Sequence, residues 1–275
     1  MNDSNVEKLS SSSSDPDKKN WLYRYSLSIG KIGGVPISIH FSFALIFTLI
    51  TWTLSYNFFP AYYPSLPLTS YIALGLTGAI IALFSILFHE LGHSFIASNY
   101  GIKFEKIMLF AFGGIALSSY EITDPKKEIR MAFAGPYISF IISGFAFSLW
   151  LILFQSHVFG SADSPTGGLL LYAGFVNLAV GLFNLIPIFP SDGGRILRAI
   201  LSIYLHDHIK GTKASIRIGM IISVCLLVAG VIIGLMVSFV SGLWLMILAF
   251  FLIRGSKWYY RQYQDMSTHY NDRIV

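Results

Sequence analysis

Inside an almost uninterrupted apolar run the chain carries Phe88-His89-Glu90-Leu91-Gly92-His93. On an α-helix, residues i and i+4 share a face one turn apart. The pattern His-Glu-x-x-His therefore lets His89 and His93 point both imidazoles at one metal ion, with Glu90 beside them to take and return a proton. A catalytic zinc site usually has three protein ligands and an open position for water. The third ligand must then come from elsewhere, and Asp192 is the candidate. It sits in Asn184-Leu185-Ile186-Pro187-Ile188-Phe189-Pro190-Ser191-Asp192-Gly193-Gly194. Pro187 and Pro190 break a helix there, and Gly193 and Gly194 permit a tight turn. Glu121, downstream of the motif, is a rival third ligand. Against these readings stand plainer ones: His89 and His93 as hydrogen-bonding partners of neighbouring helices, and Asp192 as an ordinary helix cap.

The elements that must position these groups are membrane helices. Of 275 residues, 54% are hydrophobic and 12% charged, against about a quarter charged in a soluble domain. The composition predicts an all-α polytopic membrane protein of about six transmembrane helices. The net charge of +5 comes from basic residues that form no continuous patch, so nucleic-acid binding is not expected. The single cysteine, Cys225, can form no intrachain disulfide and reads as a packing residue.

The expected spans are Ile37–Tyr56, Tyr71–Tyr100, Met131–Ser156, Gly168–Phe189, Ile218–Val237 and Leu243–Tyr260. Residues 1–28 read as a disordered polar tail without the apolar core of a signal peptide. Residues 29–260 read as the six-span domain, and 261–275 as a short C-terminal tail. With six spans, all 19 Lys and Arg fall on one side. By the positive-inside rule this makes both termini cytoplasmic. The second and fourth spans then run inward together, so the His motif and Asp192 fall at one depth, near the cytoplasmic side.

Glu90 and Asp192 are the only carboxylates in or against the apolar spans. A charge at that depth costs at least a few kcal/mol, which marks such a residue as functional by default. Residues 102–120 (IKFEKIMLFAFGGIALSSY) mix β-branched and aromatic residues around Gly113-Gly114. They read as a small β-hairpin or re-entrant loop near the active site, lying against protein because a bare strand edge cannot face lipid. His206-Asp207-His208 reads as a solvated surface stretch rather than a second metal site, and His40 as a packing or headgroup-level histidine.

Taken together, His89-Glu90-Leu91-Gly92-His93 and Asn184 to Gly194 resemble the paired signatures of the site-2 protease family of intramembrane zinc metalloproteases. The likeness continues in Gly113-Gly114 and in Ala134-Gly135-Pro136, and runs from about Ile29 to about Leu205. Ser139 stands where many relatives show a polar amide, and no insertion is large enough for a peptide-binding PDZ domain. The resemblance implies a zinc endopeptidase embedded in the bilayer that cuts a transmembrane helix of another protein. It also implies that the hairpin around Gly113 and Gly114 holds the substrate extended and that Asn184 helps to bind it. On this reading His89, His93 and Asp192 hold Zn²⁺, and Glu90 activates the zinc-bound water. A metal transporter would instead need polar residues spread along a path across the bilayer, whereas these cluster at one depth. A catalytically silent relative would have no use for Glu90.

Overall fold

A computed structural model describes residues 25–102, 104–110, 113–118, 124–155 and 164–271. The chain divides into two compact units, one from Met1–Glu121 and Ala134–Leu182, the other from Ile122–Phe133 and Phe183–Val275. The first unit opens with strands β1 (Ser26–Ile32) and β2 (Val35–His40). The first span, α1 (Ser42–Tyr62), and the second, α2 (Leu68–Ser98), follow. Strands β3 (Phe104–Phe110) and β4 (Gly113–Ser118) come next. Helix α3 spans Pro125–Trp150 and α4 spans Pro165–Asn184. The second unit adds α5 (Asp192–Tyr204), α6 (His208–Met236) and α7 (Phe239–Asn271).

Five helices among the described residues are long and apolar enough to cross a membrane: Ser42–Tyr62, Leu68–Ser98, Pro125–Leu153, Pro165–Asn184 and His208–Met236. The sixth expected apolar run is helical too, inside α7. The expected hairpin is present as β3 and β4, paired antiparallel with Leu109 opposite Gly114 and Phe110 opposite Gly113.

Three differences from the sequence reading have physical causes. Ile37 to His40 does not begin the first span but forms β2, and Ser26 to Ser28, assigned to the tail, belong to β1. The signal was the pair Gly33-Gly34, both at positive φ (+57° and +83°). Two such residues make the tight turn that matches strand twist. β2 then pairs parallel with β3, Ile37 opposite Ile107 and Ile39 opposite Leu109. The four-stranded order is β1-β2-β3-β4. Ile37, Ile107 and Leu109 bury one face of the sheet against Phe43 of α1 and Leu87 of α2. Second, the fourth span ends at Asn184 rather than Phe189, since Pro187 and Pro190 cannot continue the hydrogen-bond ladder. Third, the connection to the fifth span is itself the amphipathic helix α5, and α6 begins at His208, ten residues before the expected Ile218.

Glycines set the approach of α1 and α2. A Cβ at Gly75 would lie 2.7 Å from the Thr51 carbonyl oxygen and nearer still to Ser55 Oγ. In lipid, where apolar burial gives helices no reason to associate, such backbone proximity is what holds them. Gly75→Val should lower stability by about 1–3 kcal/mol, the usual cost of overpacking. Gly144→Ala, where a Cβ meets nothing within 4 Å, should cost nothing. Thermal unfolding of the two purified variants in detergent checks the pair.

Candidate metal centre

In the first unit the site is built on one face of α2. Ser85, His89 and His93, spaced four apart, are all buried, and so is Glu90. Phe84, Phe88 and Phe95 project outward instead. The two imidazoles meet edge to face with centroids 4.9 Å apart.

What makes room for them is α3. Gly92 lies so close to α3 that a Cβ there would sit 2.8 Å from the Ala134 carbonyl oxygen. A Cβ on the next α3 residue, Gly135, would lie 2.7 Å from His89 Nε2 and closer to His93 Nε2. The two Nε2 atoms thus converge on the cradle left by that missing methyl. The other face of His89 is occupied, since Ser139 Oγ lies 3.0 Å from its Nδ1. With Nδ1 so engaged, Nε2 is the ring nitrogen turned to the Gly135 cradle, and a hydrogen bond to the other nitrogen is what orients metal-binding histidines. Two convergent imidazole nitrogens beside a carboxylate are a donor set that suits zinc. His89 and His93 could therefore hold the ion from this unit.

Strand β4 covers Glu90. A Cβ on Gly114 would come within 2.6 Å of Glu90 Oε1 and 2.5 Å of Cδ. Only glycine lets the strand lie flat on that carboxyl group, which accounts for one of the two hairpin glycines. Deeper along α2, Asn177 of α4 donates from Nδ2 to Ser85 Oγ at 2.9 Å and is almost fully buried. The sequence reading singled out Ser139 without giving it a role, and it missed Asn177. The available signal was their spacing, since Ser139 and Ser143 repeat every four residues on α3, and Asn177 precedes Asn184 by seven on α4.

In the second unit, Asp192 is buried and is the first residue of α5. A carboxylate at a helix N-terminus is favoured by the peptide dipoles. Ser191 fixes the turn before it, its Oγ donating to the carbonyls of Ile186 and Ile188 at 2.5 Å each. Gly194 packs so tightly that a Cβ would lie 2.7 Å from the Phe189 nitrogen. Asn184 is the half-buried last residue of α4. Glu121 lies outside the described residues.

Among the described residues, His40 and the His206-Asp207-His208 stretch have local partners of their own. His40 Nδ1 lies 2.8 Å from Ser42 Oγ and its ring leans on Phe41. In His206-Asp207-His208, Asp207 caps α6, accepting from the Ile209 and Lys210 amides at 2.8 and 3.0 Å. The Lys210 amide foremost holds its carboxyl below the ordinary 3.8. The folded value being depressed, the cap's contribution is present above the unfolded pKa and lost as pH falls through the folded one.

A buried histidine pair on a helix of membrane length, with a strand laid on the neighbouring carboxylate, is an arrangement suited to metal-dependent hydrolysis within a membrane. Comparison with known proteins agrees. The chain matches the profile of peptidase family M50 over residues 77–167 and 156–230, and it belongs to that family. It is 36% identical over 209 residues to zinc metalloprotease MJ0392 of Methanocaldococcus jannaschii, covering 76% of this chain and 55% of that protein. It is 31% identical over 238 residues to Rip3 of Mycobacterium tuberculosis, covering 85% and 58%. The chain thus spans a little over half the length of these curated relatives. The solved site-2 protease from Methanocaldococcus jannaschii superposes with a TM-score of 0.58 at 32% identity, over 85% of this chain and 94% of that one.

The Gly135 cradle gives a direct test. Gly135→Ala should abolish stoichiometric zinc binding while leaving helix content unchanged, read by metal analysis and circular dichroism. Ser139→Ala, which only frees His89 Nδ1, should weaken zinc affinity by about 10–100-fold, read by competition with a chelator.

Proposed function

We propose that the protein is an intramembrane zinc endopeptidase that hydrolyses a peptide bond in or near a transmembrane helix of a membrane-protein substrate. The observation that carries this reading is the convergence of the His89 and His93 Nε2 atoms on Gly135, with Glu90 adjacent and β4 lying over it. Family membership supports the same reaction class.

His89, His93 and Asp192 hold the ion. When bound, zinc lowers the pKa of a water and polarises a carbonyl oxygen. The rest is the work of this chain's own residues. Glu90 accepts a proton on its carboxylate as water adds to the scissile carbonyl carbon, then delivers it to the leaving amine nitrogen as the C–N bond breaks. Ser139 keeps the His89 ring in the tautomer that leaves Nε2 available. Asn184 donates from its side-chain amide to a substrate carbonyl. β4 is the terminal strand of the sheet, so its outer edge offers main-chain groups to a substrate segment unwound from its helix. Gly113 and Gly114 keep side chains out of that segment's way. On the six-span reading of the sequence the Lys and Arg gather at one side, which supports placing that side, with both termini and the active site near it, in the cytoplasm.

The test is Glu90→Gln. In proteoliposomes with a transmembrane substrate, the variant should lose cleavage by at least 10²-fold while retaining zinc. Asp192→Asn should lose cleavage and bind zinc measurably but more weakly, through the two histidines alone. Cleavage that survives Glu90→Gln would refute the mechanism. Zinc movement into vesicles by the native protein, without cleavage, would replace it with a transporter.

A further inference from the structure

The second unit contains a buried ion pair that the reaction above does not use. Glu128, in the first turn of α3, is fully buried, and Arg198, in the middle of α5, is 4% exposed. Arg198 Nε donates to Glu128 Oε1 at 2.9 Å, and a second guanidinium nitrogen reaches the same oxygen. The third guanidinium nitrogen donates to the Tyr259 hydroxyl of α7. Tyr259 in turn stacks on Phe189, ring centroids 4.0 Å apart and planes within 10°. The Arg198 guanidinium carbon lies 5.6 Å from the Tyr259 ring centroid and 5.8 Å from that of Phe189.

Phe189 is the point of this arrangement. It stands three residues before Asp192, in the irregular stretch 185–191 that has neither helix nor strand to hold it. Its carbonyl accepts from Ser256 Oγ at 2.9 Å. On either side the neighbours close in: a Cβ on Gly255 would meet Pro190 at 2.7 Å, and one on Gly219 would meet Ile188 Cα at 3.2 Å. A buried ion pair is a poor way to gain stability, because desolvating both charges roughly offsets their attraction. Apolar side chains of equal volume would fill the space as well. What a charged, directional network supplies is a single fixed geometry, and here it is fixed on the aromatic ring that anchors the turn into Asp192.

We propose that Arg198, oriented by Glu128 and Tyr259, is a positioning residue that clamps Phe189 and so sets where the Asp192 carboxylate stands. The inference rests on Asp192 being a zinc ligand. Arg198 has no part in the reaction proposed above and acts through the turn 185–191. Small changes in its partners therefore degrade metal affinity and turnover without altering substrate recognition.

The experiment uses the full-length protein in detergent, with zinc as the probe. Three variants are compared, Arg198→Lys, Tyr259→Phe and Ser256→Ala. Tyr259→Phe and Ser256→Ala each remove one hydroxyl and keep the volume nearly unchanged, so they report even if Arg198→Lys does not fold. Zinc affinity by chelator competition should fall by about 10–100-fold, the usual effect of losing an outer-shell partner. The unfolding temperature of the zinc-free protein should stay at the native value. In proteoliposomes kcat should fall while KM is unchanged.

A double-mutant cycle separates positioning from general damage. In an Asp192→Asn background, Tyr259→Phe should produce no further loss of zinc affinity. Native affinity in the folded variants, or full additivity with Asp192→Asn, would overturn the positioning role alone. Unchanged zinc affinity in Asp192→Asn itself would overturn the ligand assignment on which it rests.

Discussion

The first unit depends on how closely two helix backbones approach. At Gly92 and at Ala134-Gly135, α2 and α3 come so near that a single methyl group would collide with main chain or imidazole. In a lipid environment, burying apolar surface gives two helices no advantage, and contact must come from close packing and hydrogen bonds. The same absence of side chains does two jobs. It draws the helices together, and it leaves a hollow in which two histidines can turn their Nε2 atoms to one point. The hydroxyl of Ser139 then engages the remaining nitrogen of His89. A wider spacing would leave that hollow undefined, and polar rings at this depth would be costly without partners.

The second unit solves a different problem. Residues 185–191 form irregular backbone, which membrane proteins tolerate only where it is enclosed by protein. The enclosure is built from glycines on three helices and from hydroxyl donors. Ser191 supplies two carbonyls and Ser256 a third. Gly193, Gly194, Gly219 and Gly255 let the surrounding backbone close on the turn. Asp192 emerges from this enclosure as the first residue of a new helix, a position where its negative charge is favoured.

Much of this was legible in the residues. The His-Glu-x-x-His spacing, its apolar setting and the Asn184 to Gly194 stretch pointed to zinc hydrolysis, and the Gly113-Gly114 stretch to a hairpin over the site. The rest was hidden for physical reasons. β1 and β2 alternate every two residues, but their apolar content merges with the span that follows, so Ile37 to His40 looked like its start. Only the paired glycines at 33 and 34 betrayed the turn. The Glu128–Arg198 pair was invisible because its members are 70 residues apart and each reads as an ordinary charge in a polar connection. Burial is a property of the folded chain, and neither residue type suggests it.

One feature of the sheet reaches further than its size. Because β1 pairs with β2 and β2 with β3, the N-terminal hairpin occupies the flank of the sheet away from β4. A guest segment that adds to β4 therefore enters by a single border. Its side chains must then alternate, odd residues to one face and even residues to the other. Sliding such a guest by one position would exchange the two sets. Under the proposed cleavage, the guest's own two-residue rhythm of bulk would settle which peptide bond stands at the site, before any individual pocket is consulted.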